Sequence, residues 1–424
     1  QAIKLEHDFA HWIIKQSQGG VDFDETTAQS LFLSLQKQRL EIEQKLSAVF
    51  GTRRKAWGFK TYKKNNKKRV IKADIQVEQL KTEIYKPNSR VHIADRLKTL
   101  GWKPKSFTAT GKPEVNEKVL KSLPYEEAKL ISRHLLIQKR LGQLSDGEQA
   151  YLKLITKEKK IHGKIITNGA VTGRCTHFNP NLAQVVSKGS EYGVEMRSLF
   201  IAPADMVMLG IDFSGLELRV LSSYLYNFDN GDFANTLLKD DIHTKNQHIL
   251  GLDSRAKAKT FIYAYIYSAG NERLSEILSV SIEEAKRIRE KFEKAIPALK
   301  NLKTAVAVKY RNQKWIYGLD KRKLMCRAEY SSLNTLIQSC GSILVKKGTV
   351  ILNEDLQQAG FVWGKDYRMV LHVHDEMQFV VHKNKVEEFK NIAKHLFSKT
   401  KEYFGFKCEL AGEIKVGSNW SETH

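Results

Sequence analysis

Two acidic residues stand where apolar runs end. Met208-Leu209-Gly210-Ile211-Asp212-Phe213-Ser214 reads as a strand that delivers Asp212 to its end, where the chain turns into a helix near Leu216. Far along the chain, Val370-Leu371-His372-Val373-His374-Asp375-Glu376-Met377-Gln378-Phe379-Val380 has apolar arms on both sides of a polar tip. This is the pattern of a hairpin whose turn presents Asp375 and Glu376. Mg²⁺ prefers oxygen ligands and is commonly held by one or two carboxylates plus substrate phosphates, so Asp212 and Asp375 on adjoining strands could bridge a two-metal site. Taken singly, each acid is an ordinary turn residue or cap, and the case for chemistry rests on what lies between them.

Between them, Arg255, Lys259, Tyr263 and Tyr267 recur every four residues. On a helix they form one gently drifting stripe, two cations leading into two aromatic rings. A stripe in that order can grip a triphosphate at its cationic end and stack a base at its aromatic end. The plain alternative is the surface of an amphipathic helix.

The elements that must position these groups can be read coarsely. The first clear helix runs from Asp24 to Phe50, with spaced Leu31, Leu35, Ile42, Leu46 and Val49 and a stop at Gly51. Residues 53–72 carry ten Lys or Arg and no acid, interleaved with Trp57, Phe59 and Tyr62. They read either as a mobile nucleic-acid-contacting tip or as a solvated loop. Further helices are expected from Asn88-Ser89 to Leu100 and from Glu126 to Leu144, then strands and turns over Ile161–Thr176, and a strand over Met206–Phe213. A broken helical stretch should cover Leu216–Val308 and another Ser331–Gln358, followed by a strand pair at Arg368–Val373 and Met377–His382. The pattern is α+β without an internal repeat.

Bulk properties bound the answer. The 424 residues suit two or three subdomains. No apolar run approaches the ~18–20 residues needed to cross a bilayer. Seventy Lys and Arg against 47 Asp and Glu leave a formal charge of +23, which attracts a polyanion, nucleic acid first. Cys175, Cys326, Cys340 and Cys408 show no paired ligand spacing and read as reduced structural thiols. The opening Gln1-Ala2-Ile3-Lys4, without a methionine or an apolar signal core, reads as part of a longer chain.

Three segments in order, Asp212-Phe213-Ser214-Gly215-Leu216-Glu217-Leu218-Arg219, then Arg255 through Lys259 to Tyr263, then His374-Asp375-Glu376, resemble motifs A, B and C of family A DNA polymerases. His134-Leu135-Leu136-Ile137-Gln138-Lys139-Arg140, Gly169-Ala170-Val171-Thr172-Gly173-Arg174, Asp241-Ile242-His243-Thr244-Lys245-Asn246 and Leu333-Asn334-Thr335-Leu336-Ile337-Gln338-Ser339 are similar to the replicative branch of short-tailed bacteriophages. The resemblance spans nearly the whole chain.

The resemblance implies a right hand with a helical thumb, an antiparallel-sheet palm and helical fingers, and no exonuclease domain in this chain. By analogy the thumb and entry helices would occupy 1–155 with a basic tip at 51–86, the palm 156–224 and 334–424, and the fingers 225–333. It further implies DNA-directed DNA synthesis, with Asp212, Asp375 and the Phe213 carbonyl holding two Mg²⁺ ions that Mn²⁺ can replace. Arg255, Lys259 and His243 would hold the triphosphate, and Lys259 would also protonate the leaving group. Tyr263 would sense the sugar 3′ position and Glu217 would close the 2′ position. Tyr267 would lie near the templating base, Arg174, Asn334 and Gln338 in the minor groove, and His374 at the primer terminus, with Glu376 as the second acid of motif C. Ser268 departs from the glycine often found there.

Primer-template DNA and deoxynucleotides are the implied partners of a monomer without membrane contact, and a helicase-primase is implied by analogy only. The implied setting is the cytoplasm of a bacterial host of a phage, or an organelle of bacterial ancestry. Direct DNA contact by the basic tip is favoured over host thioredoxin. Two competing readings are weighed against this one. A single-subunit RNA polymerase is disfavoured by Glu217, and a non-catalytic DNA-binding subunit by the intact Asp212, Asp375, Arg255 and Lys259.

Overall fold

Nearly continuous apolar runs build the central sheet. In the computed structural model, which describes residues 1–62, 75–239 and 241–424, four strands lie in the order Tyr367–Val373, Glu376–His382, Met206–Phe213, Gly412–Gly417. All three pairings are antiparallel. Met208, Leu209, Ile211 and Phe213 of the inner strand are buried on both faces, which explains its nearly unbroken apolar run. Gly210 interrupts that run for a steric reason. A Cβ there would stand 2.3 Å from the Thr423 carbonyl oxygen and 2.6 Å from Gln378 Nε2. Register sets Asp212 opposite Glu376 on one side and Glu413 on the other.

One face of the sheet is covered by the 27-residue helix Ser332–Gln358, buried along most of its length, and by the helix Ala2–Gly19. Leu5, Phe9, Trp12 and Ile13 of the latter join the same core as Phe213, Leu344 and Met369. The stretch after the inner strand is helical in short pieces: Leu216–Asp229, Asp232–Lys239, Ile242–Leu250, Arg255–Ile266, Asn271–Leu278, Ile282–Ala295 and Pro297–Gln313. Side chains of Asp241, Ser254 and Ser281 cap three of these, each accepting a hydrogen bond from the first turn.

The chain divides into two units, one of residues 1–25 and 154–424 and the other of 26–153. In the second, Glu25–Phe50 buries Ala28, Leu35, Ile42, Leu46 and Phe50 on one stripe. His134 of the helix Glu126–Leu141 is buried with its Nε2 2.9 Å from Glu43 Oε1. Among the described residues no helix is long and apolar enough to cross a membrane.

Four expectations need correction. Residues 53–62, read as part of a mobile tip or loop, belong to the strand Thr52–Tyr62, paired with Ile75–Ile84. Acids from elsewhere supply what the segment lacks, Arg53 lying 3.0 Å from Glu83 of the partner strand and 2.7 Å from Asp95 of the helix Arg90–Thr99. Residues 63–72 of the basic tip lie outside the described residues. Residues 1–25, grouped with 26–155 by sequence, pack instead into the unit of the sheet, because the apolar face of Ala2–Gly19 has its partners there. The helix from Glu126 ends at Leu141 and passes into a π-turn over Gly142–Asp146. The stripe helix stops at Ile266, leaving Tyr267 as its C-cap and Ser268 left-handed at φ +62°.

Candidate active site

The sheet brings the acids together. Phe213 N–H donates to the Asp375 carbonyl at 3.2 Å, so the end of the inner strand is tied to the turn of the adjoining hairpin. Burial pushes the Asp212 carboxyl up to about 7, with the like charges of Asp375 and Glu376 adding to it. Asp375 is raised too, again chiefly by burial. Two half-buried carboxylates whose charged forms are both disfavoured make an electrostatic demand for cations.

Glu376 behaves differently. Burial works against its charge, yet His424 at 2.8 Å, Arg197 at 3.7 Å and the Trp420 indole N–H hold its carboxyl below the usual range. Gln378 Nε2 donates to it as well, at 2.6 Å. Its oxygens are committed to the protein. Among the described residues no group of three or more His, Cys, Asp or Glu side chains could hold a metal. The carboxylates of Asp212 and Asp375 would be the donors open to a cation here. That set fits Mg²⁺, which keeps waters and takes substrate phosphates rather than an all-protein cage.

The basic helix faces this corner. Arg255 forks onto Asp241 at 2.6 and 3.2 Å, and Asp241 in turn caps the helix Ile242–Leu250 that carries His243. Lys259 is exposed. The His243 ring lies 6.2 Å from Tyr263, which lies 6.5 Å from Tyr267. Burial lowers the His243 pKa, helped by Arg255 and Lys259, so the ring is a neutral neighbour of two cations. The Tyr263 phenol is raised by burial and then by the charges of Glu217 and Asp375. Arg174 Nη2 reaches Glu217 at 3.2 Å, and its charge is felt at both His374 and Asp375.

Asp212, Asp375, Glu217, Arg174, His374, Tyr263, Tyr267, the cations Arg255 and Lys259 and the neutral ring of His243 thus belong to one neighbourhood. Asn334 and Gln338 sit one turn apart on the helix Ser332–Gln358, sharing a face. The described contacts do not join them to that cluster. The Asn334 amide oxygen is buried with no partner, an acceptor that a ligand would satisfy. Sequence reasoning missed Arg197, Trp420, His424 and Glu413. No spacing rule pairs Glu376 with Trp420, 44 residues away.

A family model described as DNA polymerase family A matches residues 58–422. The chain belongs to this family. As a family A enzyme it catalyses DNA-directed DNA synthesis, and polymerases of this family use divalent metal ions. It is 32% identical to the DNA-directed DNA polymerases of Enterobacteria phage T3 and Escherichia phage T7, over all of this chain and 70% of each relative. It is 27% identical to DNA polymerase I of Helicobacter pylori, over 64% of this chain and 31% of the relative. The POL domain of Pol1 from M. smegmatis, solved with DNA primer-template and dNTP, superposes with a TM-score of 0.80 at 18% identity. That match covers 99% of this chain and 70% of that one, and the right-hand fold is shared.

Proposed function

We propose that Asp212 and Asp375, with the Phe213 carbonyl, hold two Mg²⁺ ions, replaceable by Mn²⁺, and that this chain extends a DNA primer with deoxynucleotides on a DNA template. The observation that carries the reading is the tie between Phe213 N–H and the Asp375 carbonyl, which holds two half-buried acids together, one at the end of the inner strand and one in the turn of the adjoining hairpin. When bound, the ions supply Lewis-acid activation of the primer hydroxyl and neutralise charge on the leaving pyrophosphate. Arg255, Lys259 and His243 bind the triphosphate, and Lys259 gives a proton to the leaving oxygen. Tyr263 packs beside the sugar, Glu217 closes the space at the 2′ position and Tyr267 borders the templating base. Arg174, Asn334 and Gln338 take the minor groove and His374 the primer terminus.

In this reading the sheet is the palm, the helices within 225–333 the fingers and 26–153 the thumb. The setting is phage DNA replication in a bacterial host. The test is extension of a labelled primer with Mg²⁺, given deoxynucleotides or ribonucleotides, beside Asp212→Ala and Asp375→Ala. Extension with deoxynucleotides alone, lost in both variants, supports the assignment; tight primer-template binding without extension by the unaltered chain overturns it.

A further inference from the structure

Lys346 lies in the middle of the helix Ser332–Gln358 and is 1% exposed. A buried ammonium is costly unless its protons are taken. Two acceptors are present at 2.7 Å, Glu6 Oε1 and the Gly173 carbonyl oxygen. The same carbonyl accepts from Ser342 Oγ at 3.0 Å, which fills both of its lone pairs. Glu6 is shared from the far side by Arg322 at 2.7 Å, and Arg322 is itself forked onto the buried Asp320.

Gly173 is hemmed in at its α-carbon as well. Its φ is +75° and a Cβ would stand 2.8 Å from Arg322 Nη1, so only glycine suits the position. It closes the turn in which Gly173 N–H donates to the Ala170 carbonyl and Ala170 N–H to that of Arg174. The next residue out of the clamp is Arg174, whose guanidinium meets Glu217. A buried ion pair adds little net stability compared with an apolar filling. What it adds is direction, since an ammonium and a hydroxyl on one carbonyl leave the turn a single seat.

We propose that Lys346 and Ser342, backed by Glu6 and Arg322, are positioning residues for sugar selection: by fixing the Gly173 carbonyl they set Arg174 and, through it, the Glu217 carboxylate at the nucleotide 2′ position. The proposal rests on the assignment of that gate to Glu217.

The experiment measures single-nucleotide kcat/KM for a deoxynucleotide and its ribonucleotide on one primer-template. It compares Ser342→Ala, Lys346→Met, Glu217→Ala and the two double variants, with Tm alongside. Ser342→Ala should cost selectivity about threefold and Lys346→Met about tenfold, mainly by raising ribonucleotide kcat/KM. Neither should change the ratio further once Glu217 is alanine. An unmoved ratio with a lowered Tm in both single variants, while Glu217→Ala moves the ratio, overturns the clamp as a selectivity device and leaves it a structural one. An unmoved ratio in Glu217→Ala overturns the gate assignment and the clamp with it. If Lys346→Met fails to fold, Ser342→Ala decides alone, since it removes only one hydroxyl.

Discussion

The Tyr267 hydroxyl lies 2.5 Å from both oxygens of the Glu217 carboxylate. Arg174 reaches the same carboxylate from another element, so Glu217 is held by two donors before any nucleotide arrives. Burial, and after it Glu217 itself, raises the Tyr267 phenol, which keeps it a donor throughout the working pH range. In the proposed assignment of Glu217 to the 2′ position, an incoming sugar would meet a carboxylate whose direction is already set.

If that carboxylate excludes the 2′-hydroxyl, Glu217→Ala should raise ribonucleotide incorporation relative to deoxynucleotide about a hundredfold. Tyr267→Phe, which removes one of the two donors and keeps the ring, should give a smaller rise of about tenfold. Steady-state kcat/KM ratios check both. A ratio within twofold of the unaltered enzyme in Glu217→Ala would show that selection lies elsewhere.

The acid pair makes a prediction about binding as well as turnover. Asp212→Asn and Asp375→Asn should each lower kcat at least about a thousandfold while primer-template affinity changes by less than about threefold. Because a bound ion stabilises only the folded state, millimolar Mg²⁺ should raise the Tm of the native chain more than that of the double variant. Equal shifts in a thermal melt would place the ions on other ligands.

Much of this site could be read from local pattern. The strand Met206–Phe213 ends where its apolar run ends, and the hairpin strands Tyr367–Val373 and Glu376–His382 each differ from the reading by one residue. The basic helix begins at Arg255, where Ser254 caps it by accepting from the Lys257 N–H. What escaped has a common cause. The helix Ala2–Gly19 has no side-chain cap at its start to announce it. The strand Thr52–Tyr62 looked like a repelling run because the acids that neutralise it stand on Ile75–Ile84 and at Asp95. Glu6 and Lys346 are 340 residues apart, and no periodicity links them.

Glu376 should prove structural. Its carboxylate is held by Gln378, Trp420, Arg197 and His424, so Glu376→Gln removes a buried charge from a set of donors built around it. The expected loss is roughly 3 kcal/mol of stability, read by urea unfolding, with the Mg²⁺ concentration for half-maximal activity moved less than about threefold. A large shift in that concentration with unchanged stability would make Glu376 a ligand.

Tyr263 supplies a hydroxyl that phenylalanine would not. It sits between His243 and Tyr267 on the stripe, near Glu217 and Asp375. That hydroxyl can replace the hydrogen bond lost when a nucleotide lacks its 3′-hydroxyl, so dideoxynucleotides should be used readily. Tyr263→Phe should then raise discrimination against them by about 10- to 100-fold. Chain-termination ratios measure this directly, and an unchanged ratio sinks the idea.

Beneath the site two histidines tie stability to pH. Burial pushes His372 down to about 3 and His177 down to about 4, and each is held lower by further cations or rings. His372 is faced by the Phe9 ring at 5.0 Å and by His177, Lys346 and His374. Both rings are neutral in the folded chain and bind protons near pH 6.5 once unfolded. The unfolded state therefore takes up to two more protons between about pH 6.5 and pH 4, and stability falls as pH drops through that window. Above pH 6.5 these two residues add no slope. Each ring contributes at most about 1.4 kcal/mol per pH unit. Urea midpoints from pH 8 to pH 4 should thus bend downward below about 6.5, and His372→Leu should remove about half of that bend. Parallel curves for the two proteins would mean that His372 takes up its proton without unfolding.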